Sequence, residues 1–237
     1  MSTGEKQETS AEDMSSSLPP LKWSEETFND LVKSFKFPDS WDAIYPKKVK
    51  TAAQAPAGYI TLFWDYFADG NFRLSITKCL LEVMRYYKFH LSQLHPMGMV
   101  RIRHFEFLCQ SMGIEPLVDR FRVFYQLHCS LGFYSIMQRS VAKKILLTLP
   151  KSYHEWKSKL FLIKSGVIPV KKNFQGAEEI LPENLEAPVN EIWYQDIKEI
   201  PVIQLPERAL VAAKMSLLWK ADRRDKPVYV EDKTSKS

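Results

Sequence analysis

A chain of 237 residues, 45% hydrophobic and 13% aromatic, is long enough for one domain with a sizeable core, or for one domain with tails. No apolar run approaches the roughly 20 residues of a membrane span, and the polar start Met1 to Lys6 argues against a secretory or transit signal. We therefore expect an intracellular protein, in the nucleus or the cytoplasm, with no membrane partner. The net charge of +5 is compatible with nucleic-acid contact or with none.

The N-terminal part predicts one helix and one buried strand. Residues 1–20 are polar and are predicted to be disordered. Ser24 is typical of a helix N-cap, and the apolar residues that follow have helical spacing. They are Phe28, Leu31, Val32 and Phe35. Residues 59–63 begin a dense apolar run that predicts a buried strand, closed by a turn at 68–71.

Three amphipathic segments between Asn71 and Phe133 organise the chain. The first stripe is Ile76, Cys79, Leu80, Val83, Met84 and Tyr87. The second is Met99, Ile102, Phe105, Cys109 and Met112, and the third is Leu117, Val118, Phe121, Phe124, Tyr125 and His128. Spacing by three and four residues predicts a helix for each, and the short break at Gly113 to Pro116 predicts an antiparallel helical hairpin. The cysteines lie on or beside these stripes, which predicts buried, reduced thiols.

Short apolar runs replace the helical period after Gly132. Residues 133–137 and 145–149 read as two strands, paired in a hairpin across 138–144, and 160–163 reads as another. Together with 59–63 they predict one small sheet beside a helical core at about 75–130. The predicted fold class is therefore α+β, predominantly helical.

The predicted domain organisation is a single globular unit with polar ends. The acidic, proline-punctuated stretch after it predicts a linker with one possible helical turn near Ile192. The segments are a disordered tail at 1–20, a globular domain at 21–170, the linker at 171–205, a C-terminal helix at 206–221 and a polar tail at 222–237.

Charge is unevenly distributed along the chain. Residues 139–172 carry nine Lys or Arg and one acid, whereas 178–208 carry eight acids and two bases. This basic segment, and arginines expected on the outer faces of the helical hairpin, are candidates for phosphate contact. The candidates are Arg101, Arg103, Arg120, Arg122, Arg139, Lys143, Lys144, Lys151 and Lys157. The alternatives are solvated faces of opposite sign and ion pairs with Glu106, Glu115 and Asp119.

The sequence has no motif for a metal, a cofactor or a catalytic triad. The three cysteines are too far apart for a zinc knuckle, and there is no phosphate-binding loop, dinucleotide turn or nucleophile elbow. We assign no catalytic, metal or cofactor residues. Four scattered acids could converge as ligands for phosphoryl transfer. They are Asp65, Asp69, Glu82 and Glu106.

A long ordered string of residues resembles a family from plant retroelements. It begins with Gly58-Tyr59-Ile60-Thr61-Leu62-Phe63 and continues through Ser92-Gln93-Leu94-His95-Pro96-Met97-Gly98. It goes on through Gly113-Ile114-Glu115-Pro116 and Phe121-Arg122-Val123-Phe124-Tyr125 to Pro150-Lys151-Ser152-Tyr153. Over residues 57–170 the chain is similar to the domain family labelled "putative transposase, gypsy type".

The resemblance implies descent from a transposable element and carries over no active site. The chain has no Asp-Thr/Ser-Gly protease triplet, no Tyr-x-Asp-Asp polymerase motif and no integrase zinc site. The first hypothesis is a non-enzymatic, gag-like protein that binds DNA or RNA or assembles with itself. The alternatives are a transposition enzyme that uses the four acids named above, and a degenerate element fragment without activity.

Overall fold

The computed structural model describes most of the chain between Leu21 and Ser216. The described residues are 21–47, 55–73, 76–130, 132–147, 149, 153, 155–168 and 185–216. The predicted tails at 1–20 and 222–237 lie outside them. Within the described residues, no helix is long and apolar enough to cross a membrane.

The described residues form seven α-helices and four strands. The helices are α1 (Glu25–Phe35), α2 (Trp64–Ala68), α3 (Lys78–Tyr86), α4 (Pro96–Ser111), α5 (Val118–Phe124), α6 (Ile192–Asp196) and α7 (Glu207–Ala212). The strands are β1 (Tyr59–Phe63), β2 (Tyr125–Ser130), β3 (Phe133–Gln138) and β4 (Leu160–Lys164). The fold is mixed α+β rather than predominantly helical.

The first helix forms as its sequence predicts. Ser24 has extended backbone angles, and its hydroxyl oxygen accepts a hydrogen bond of 3.1 Å from the backbone N–H of Thr27. This bond satisfies one of the donors that a helix start leaves unpaired. The stripe residues Phe28, Leu31 and Phe35 are buried against the core.

Two strands far apart in sequence form the first sheet. β1 pairs antiparallel with β4, from Tyr59 opposite Lys164 to Phe63 opposite Leu160. Residues 60–63 and 160–163 are buried, so the short continuous apolar runs do mark strands covered on both faces. Both predicted strands are confirmed, although they form a separate two-stranded sheet and not part of a larger one.

The third predicted helix is only half correct. The helix ends at Phe124, and Tyr125–Ser130 forms β2 in a hairpin with β3. Tyr125 and Leu127 are buried while His128 is exposed, an alternation that suits a strand and coincides with part of the helical stripe. Gly132 has a φ of 75°, which allows the tight connection between the strands.

The predicted hairpin of 133–137 with 145–149 is therefore wrong. Residues 133–137 form most of β3, whose partner is β2. In the described part of 145–149, Leu146 makes an isolated parallel bridge to Ile200. The four predicted strands do not build one sheet, because the second sheet is a local hairpin.

The long helix α4 lies at the centre of the molecule. Its apolar residues Met99, Val100 and Ile102 are completely buried, and it packs against α2, α3 and β3. Polar residues of the same helix are buried as well. A helix that is covered on all sides has no outer face. Its arginines, Arg101 and Arg103, are therefore buried.

Part of the predicted linker packs on this core. The helical turn predicted near Ile192 is α6, where Tyr194 is buried, and Ile197 beyond it is buried too. The C-terminal helix begins one residue later than predicted and ends at Ala212, and because residues 213–216 are turn or irregular, the predicted continuous helix over 206–221 is wrong. Residues 171–184 and 217–221 lie outside the described part of the chain, so the division into domain and linker stays a prediction.

Candidate nucleic-acid interface

The nine basic residues that the sequence predicts as candidates for phosphate contact differ in how far they are buried. Lys151 lies outside the described residues. The buried ones are Arg101, Arg103 and Arg139. Those with part or all of the side chain accessible are Arg120, Arg122, Lys143, Lys144 and Lys157. Only the second group can meet a phosphate without unfolding.

Arg103 serves the fold. Its side chain is 0% exposed and forms a 2.6 Å ion pair with Glu106, which is 1% exposed. Its other terminal nitrogen donates to the carbonyl of Met215 at 2.7 Å. The expectation that Arg103 lies on an outer face is wrong, because α4 is buried all round. Its predicted pairing with Glu106 is correct.

Arg101 and Arg139 bind backbone carbonyls in and beside the β2–β3 hairpin. Arg101 donates to the carbonyl of Ile136 in β3, and burial lowers the pKa of its guanidinium. Arg139 donates from Nε to the carbonyls of Arg122 at 2.7 Å and Tyr125 at 3.2 Å. Arg101, like Arg103, lacks the outward position expected from the sequence.

A second buried arginine network ties the C-terminal segment to the core. Arg73 donates from Nε to Glu207 at 2.8 Å, and the two side chains are 3% and 0% exposed. Glu207 also accepts a hydrogen bond from Ser216. Asn71 binds the same segment through two hydrogen bonds. Its side chain donates to the carbonyl of Ile203 at 2.9 Å and accepts from the backbone N–H of Leu205 at 2.7 Å.

The accessible cations around α5 lie over aromatic rings. We call this group, Arg120, Arg122 and Lys143 with Tyr86, Trp193 and Tyr194, the cation–aromatic cluster. The guanidinium carbon of Arg120 lies 5.5 Å from the ring centre of Trp193, and that of Arg122 lies 4.2 Å from the ring centre of Tyr86. The ammonium of Lys143 lies 5.3 Å from the ring centre of Tyr194.

Phe124, at the end of α5, contacts two of the three rings of the cluster. Its ring stacks on Tyr194 at 5.4 Å with an angle of 18°, and it meets Trp193 edge-on at 6.1 Å. The phenol oxygen of Tyr194 in turn accepts a 3.0 Å hydrogen bond from the backbone N–H of Lys143. Phe124 thus positions Trp193, on which Arg120 rests, and Tyr194, on which Lys143 rests.

The polar contacts described for Arg120 and Arg122 lie at the surface. Arg120 gives one nitrogen to the carbonyl of Glu115 at 2.7 Å. Arg122 pairs at 2.9 Å with Asp119, whose side chain is 80% exposed. A pair with so exposed an acid is weak, so a phosphate can compete with it. Pairing with Asp119 was one of the alternatives weighed from the sequence.

The remaining lysines differ from one another. Lys143 donates to the carbonyls of Tyr194 at 3.1 Å and Gln195 at 2.8 Å, while Lys144 beside it is exposed. Lys157 lies 4.3 Å above the ring of Phe133, and partial burial lowers the pKa of its amine. Lys157 therefore covers the hydrophobic core, whereas Lys144 extends the cation–aromatic cluster.

Sequence reasoning missed the aromatic half of the cluster. Tyr86 lies on α3 and Trp193 on α6, about 100 positions apart in sequence. No local pattern could have predicted that both would lie beside α5. The signal available in the sequence was the cations alone.

The four carboxylates of the enzyme hypothesis do not converge. Within the described residues, no group of three or more His, Cys, Asp or Glu could hold a metal ion. Glu106 is held by Arg103, and Glu82 lies 3.8 Å from Lys78. Asp65 is buried, and burial raises the pKa of its carboxyl to about 6.

Comparison with protein families identifies a match in the central part of the chain. Residues 62–129 match the model of the family described as "Putative gypsy type transposon". The matched region runs from β1 through α4 and α5 into β2, so it includes the central helix and two of the three cluster cations. No curated protein and no solved structure matches the chain.

Proposed function

We propose that this protein acts for a gypsy-type element without catalysing a reaction: it binds nucleic acid and assembles in a gag-like way. The observation that supports the binding most directly is the cation–aromatic cluster, in which Arg120, Arg122 and Lys143 lie over aromatic rings around α5. Exposed Lys144 adds a fourth cation.

The cluster has the chemistry that phosphates require. A guanidinium group offers parallel donors that match phosphate oxygens. A cation resting on a ring has already lost part of its water, so it loses less hydration when a phosphate arrives. Partly exposed rings such as Tyr86 can also stack on unpaired bases. Binding should then depend on charge and stacking, with little preference for sequence.

Titration of a labelled single strand at several salt concentrations tests this proposal. Each phosphate contact contributes about 0.7 to the slope of log affinity against log salt. We expect the double variant Arg120→Gln/Arg122→Gln to reduce that slope by about 1.4 and the affinity by about tenfold or more.

The matched control removes two charges that are not part of the cluster. Lys22→Gln/Lys47→Gln changes two exposed lysines that pair with Glu155 and Glu25. It should leave the slope and the affinity close to wild type. If both double variants lost the same affinity, net charge alone would explain the loss and the proposed site would be contradicted. Binding whose affinity does not depend on salt would contradict the binding function altogether.

A further inference from the structure

Two segments beside the cation–aromatic cluster form one surface. The backbone N–H of Leu147 donates to the carbonyl of Ile200 at 3.0 Å, and that of Ile200 donates to Ile145 at 3.0 Å. The bond from Lys143 to the phenol of Tyr194 joins the same segments further along. Residues 139–147 and 187–200 therefore lie side by side, and we call the surface they share the paired-segment surface.

This surface exposes aliphatic side chains that the core does not cover. Ile192 is 75% exposed and Val141 is 69% exposed. Val189 and Leu147 follow at 58% and 57%. Single exposed aliphatic residues need no explanation, but several of them on adjoining segments expose roughly a few hundred Å², an area at which an apolar surface becomes a candidate interaction site.

The charges around these residues indicate what covers them. The exposed rim carries Lys144 and Lys198 together with Asp196 and Glu199. A partner of a single sign of charge would meet two residues of its own sign. A second copy related by a two-fold axis presents both signs, so that basic residues of one copy can face acidic residues of the other.

We propose that the paired-segment surface is where two copies of this chain associate, through Val141, Leu147, Val189 and Ile192, with the mixed-charge rim fixing their orientation. The proposal rests on the proposed gag-like function, for which it supplies the assembly contact. Since Lys143 and Trp193 belong to the same two segments, association brings two cation–aromatic clusters near each other. A dimer would therefore hold a nucleic acid at twice as many points.

Sedimentation of the full chain over a wide range of concentrations, without nucleic acid, tests the interface. We expect a monomer–dimer equilibrium in the micromolar range, since the exposed area is modest. Ile192→Asp should shift it at least tenfold towards monomer. Met137→Asp, a matched change at an exposed residue of β3, should not shift it.

A charge experiment tests the two-fold argument. Lys144→Glu/Lys198→Glu makes the rim acidic and Asp196→Lys/Glu199→Lys makes it basic, so each variant alone should be monomeric. A mixture of the two should form a heterodimer. A wild-type monomer at every concentration, an association that Ile192→Asp leaves unchanged, or a mixture that stays monomeric would each overturn the proposal.

The two proposals fail separately. A wild-type monomer that binds a single strand with the expected salt slope would remove the interface and keep the binding function. A dimer that Ile192→Asp dissociates, but whose nucleic-acid affinity has no salt slope, would remove the binding function and keep the interface. Circular dichroism of Ile192→Asp should match wild type, because this side chain is largely in solvent.

Discussion

Two Arg-x-Arg pairs of the same spacing have opposite surroundings in this fold. Arg101 and Arg103 lie in α4 and are buried, whereas Arg120 and Arg122 lie in α5 and rest on aromatic rings at the surface. The sequence offers no local difference between the pairs. What separates them is the position of their helices, since α4 is covered on all sides and α5 lies at the periphery.

The comparison separates arginines that the fold requires from arginines that a ligand can use. A buried guanidinium whose partner is removed leaves an uncompensated charge in an apolar environment, which costs about 3–5 kcal/mol. A cation at a surface ring or in an exposed ion pair contributes about 1 kcal/mol or less. Replacing an arginine of the buried pair should therefore lower the free energy of unfolding more than replacing one of the surface pair. Replacing an arginine of the surface pair should lower the affinity for nucleic acid more.

The largest expected effect is at Arg103. Replacement by Met leaves the carboxylate of Glu106 buried without its ion-pair partner, so we expect the free energy of unfolding to fall by about 3–5 kcal/mol. The matched variant Arg122→Met should lose about 1 kcal/mol at most. Urea unfolding followed by tryptophan fluorescence measures both.

A second replacement sharpens the explanation at Arg103. Adding Glu106→Leu to Arg103→Met removes the stranded charge as well, and apolar residues often replace a buried pair at little cost. We expect the double variant to recover about half of the lost free energy or more. A double variant as unstable as Arg103→Met alone would show that packing, and not charge, explains the loss.

The next effect is at Glu207, which partners Arg73. Glu207→Gln keeps the shape and removes the charge, and we expect a loss of about 2–3 kcal/mol. Because this residue anchors the C-terminal segment, amide hydrogen exchange over residues 203–216 should quicken before the rest of the chain does. Uniformly faster exchange would show that the segment does not open separately from the core.

Asp65 is a buried carboxyl near Lys159, and its effect on stability depends on pH. Burial raises the pKa of its carboxyl to about 6, above the usual 3.8, so the folded chain holds this proton more tightly than the unfolded chain. The stabilisation by protonation is complete below about pH 4 and is lost as the pH rises through about 6.

Asp65→Asn replaces the carboxyl by an uncharged amide, so stability no longer falls at this position as the pH rises. We expect the variant to exceed wild type by about 2 kcal/mol of unfolding free energy near pH 8 and to match it below pH 4. Burial also lowers the pKa of His95 to about 4, which makes stability rise with pH over the same range. The contribution of His95 is common to both proteins, so the difference between them isolates Asp65.

The smallest expected effect on stability is at Arg120. Arg120→Gln removes one ring contact and one hydrogen bond to a carbonyl, and we expect it to cost about 0.5 kcal/mol. Its effect on nucleic-acid affinity should be several-fold. A strongly destabilised Arg120→Gln protein would show that the fold requires this arginine as it requires the buried pair. It would contradict the distinction between the two pairs.

The sequence predicts a helix or strand well where its signals agree, such as a helix N-cap followed by apolar residues at helical spacing. Ser24 and the stripe that follows it predict α1, and the dense run at 59–63 predicts β1. It does worse at Tyr125, because buried residues that alternate along a strand also fit part of a helical stripe. Partners such as Arg73 and Glu207 lie 134 positions apart, so no pattern in either neighbourhood could have revealed them.

Pairing between the two ends of the folded chain has a consequence for synthesis on the ribosome. β1 leaves the exit tunnel long before β4, its strand partner, and Arg73 emerges well before Glu207. In the interval, β1 has no strand partner and the guanidinium of Arg73 has no carboxylate to neutralise it. A nascent chain halted before residue 160 exposes the apolar residues of β1 and carries Arg73 without its ion-pair partner, and such a chain is a natural client for chaperones.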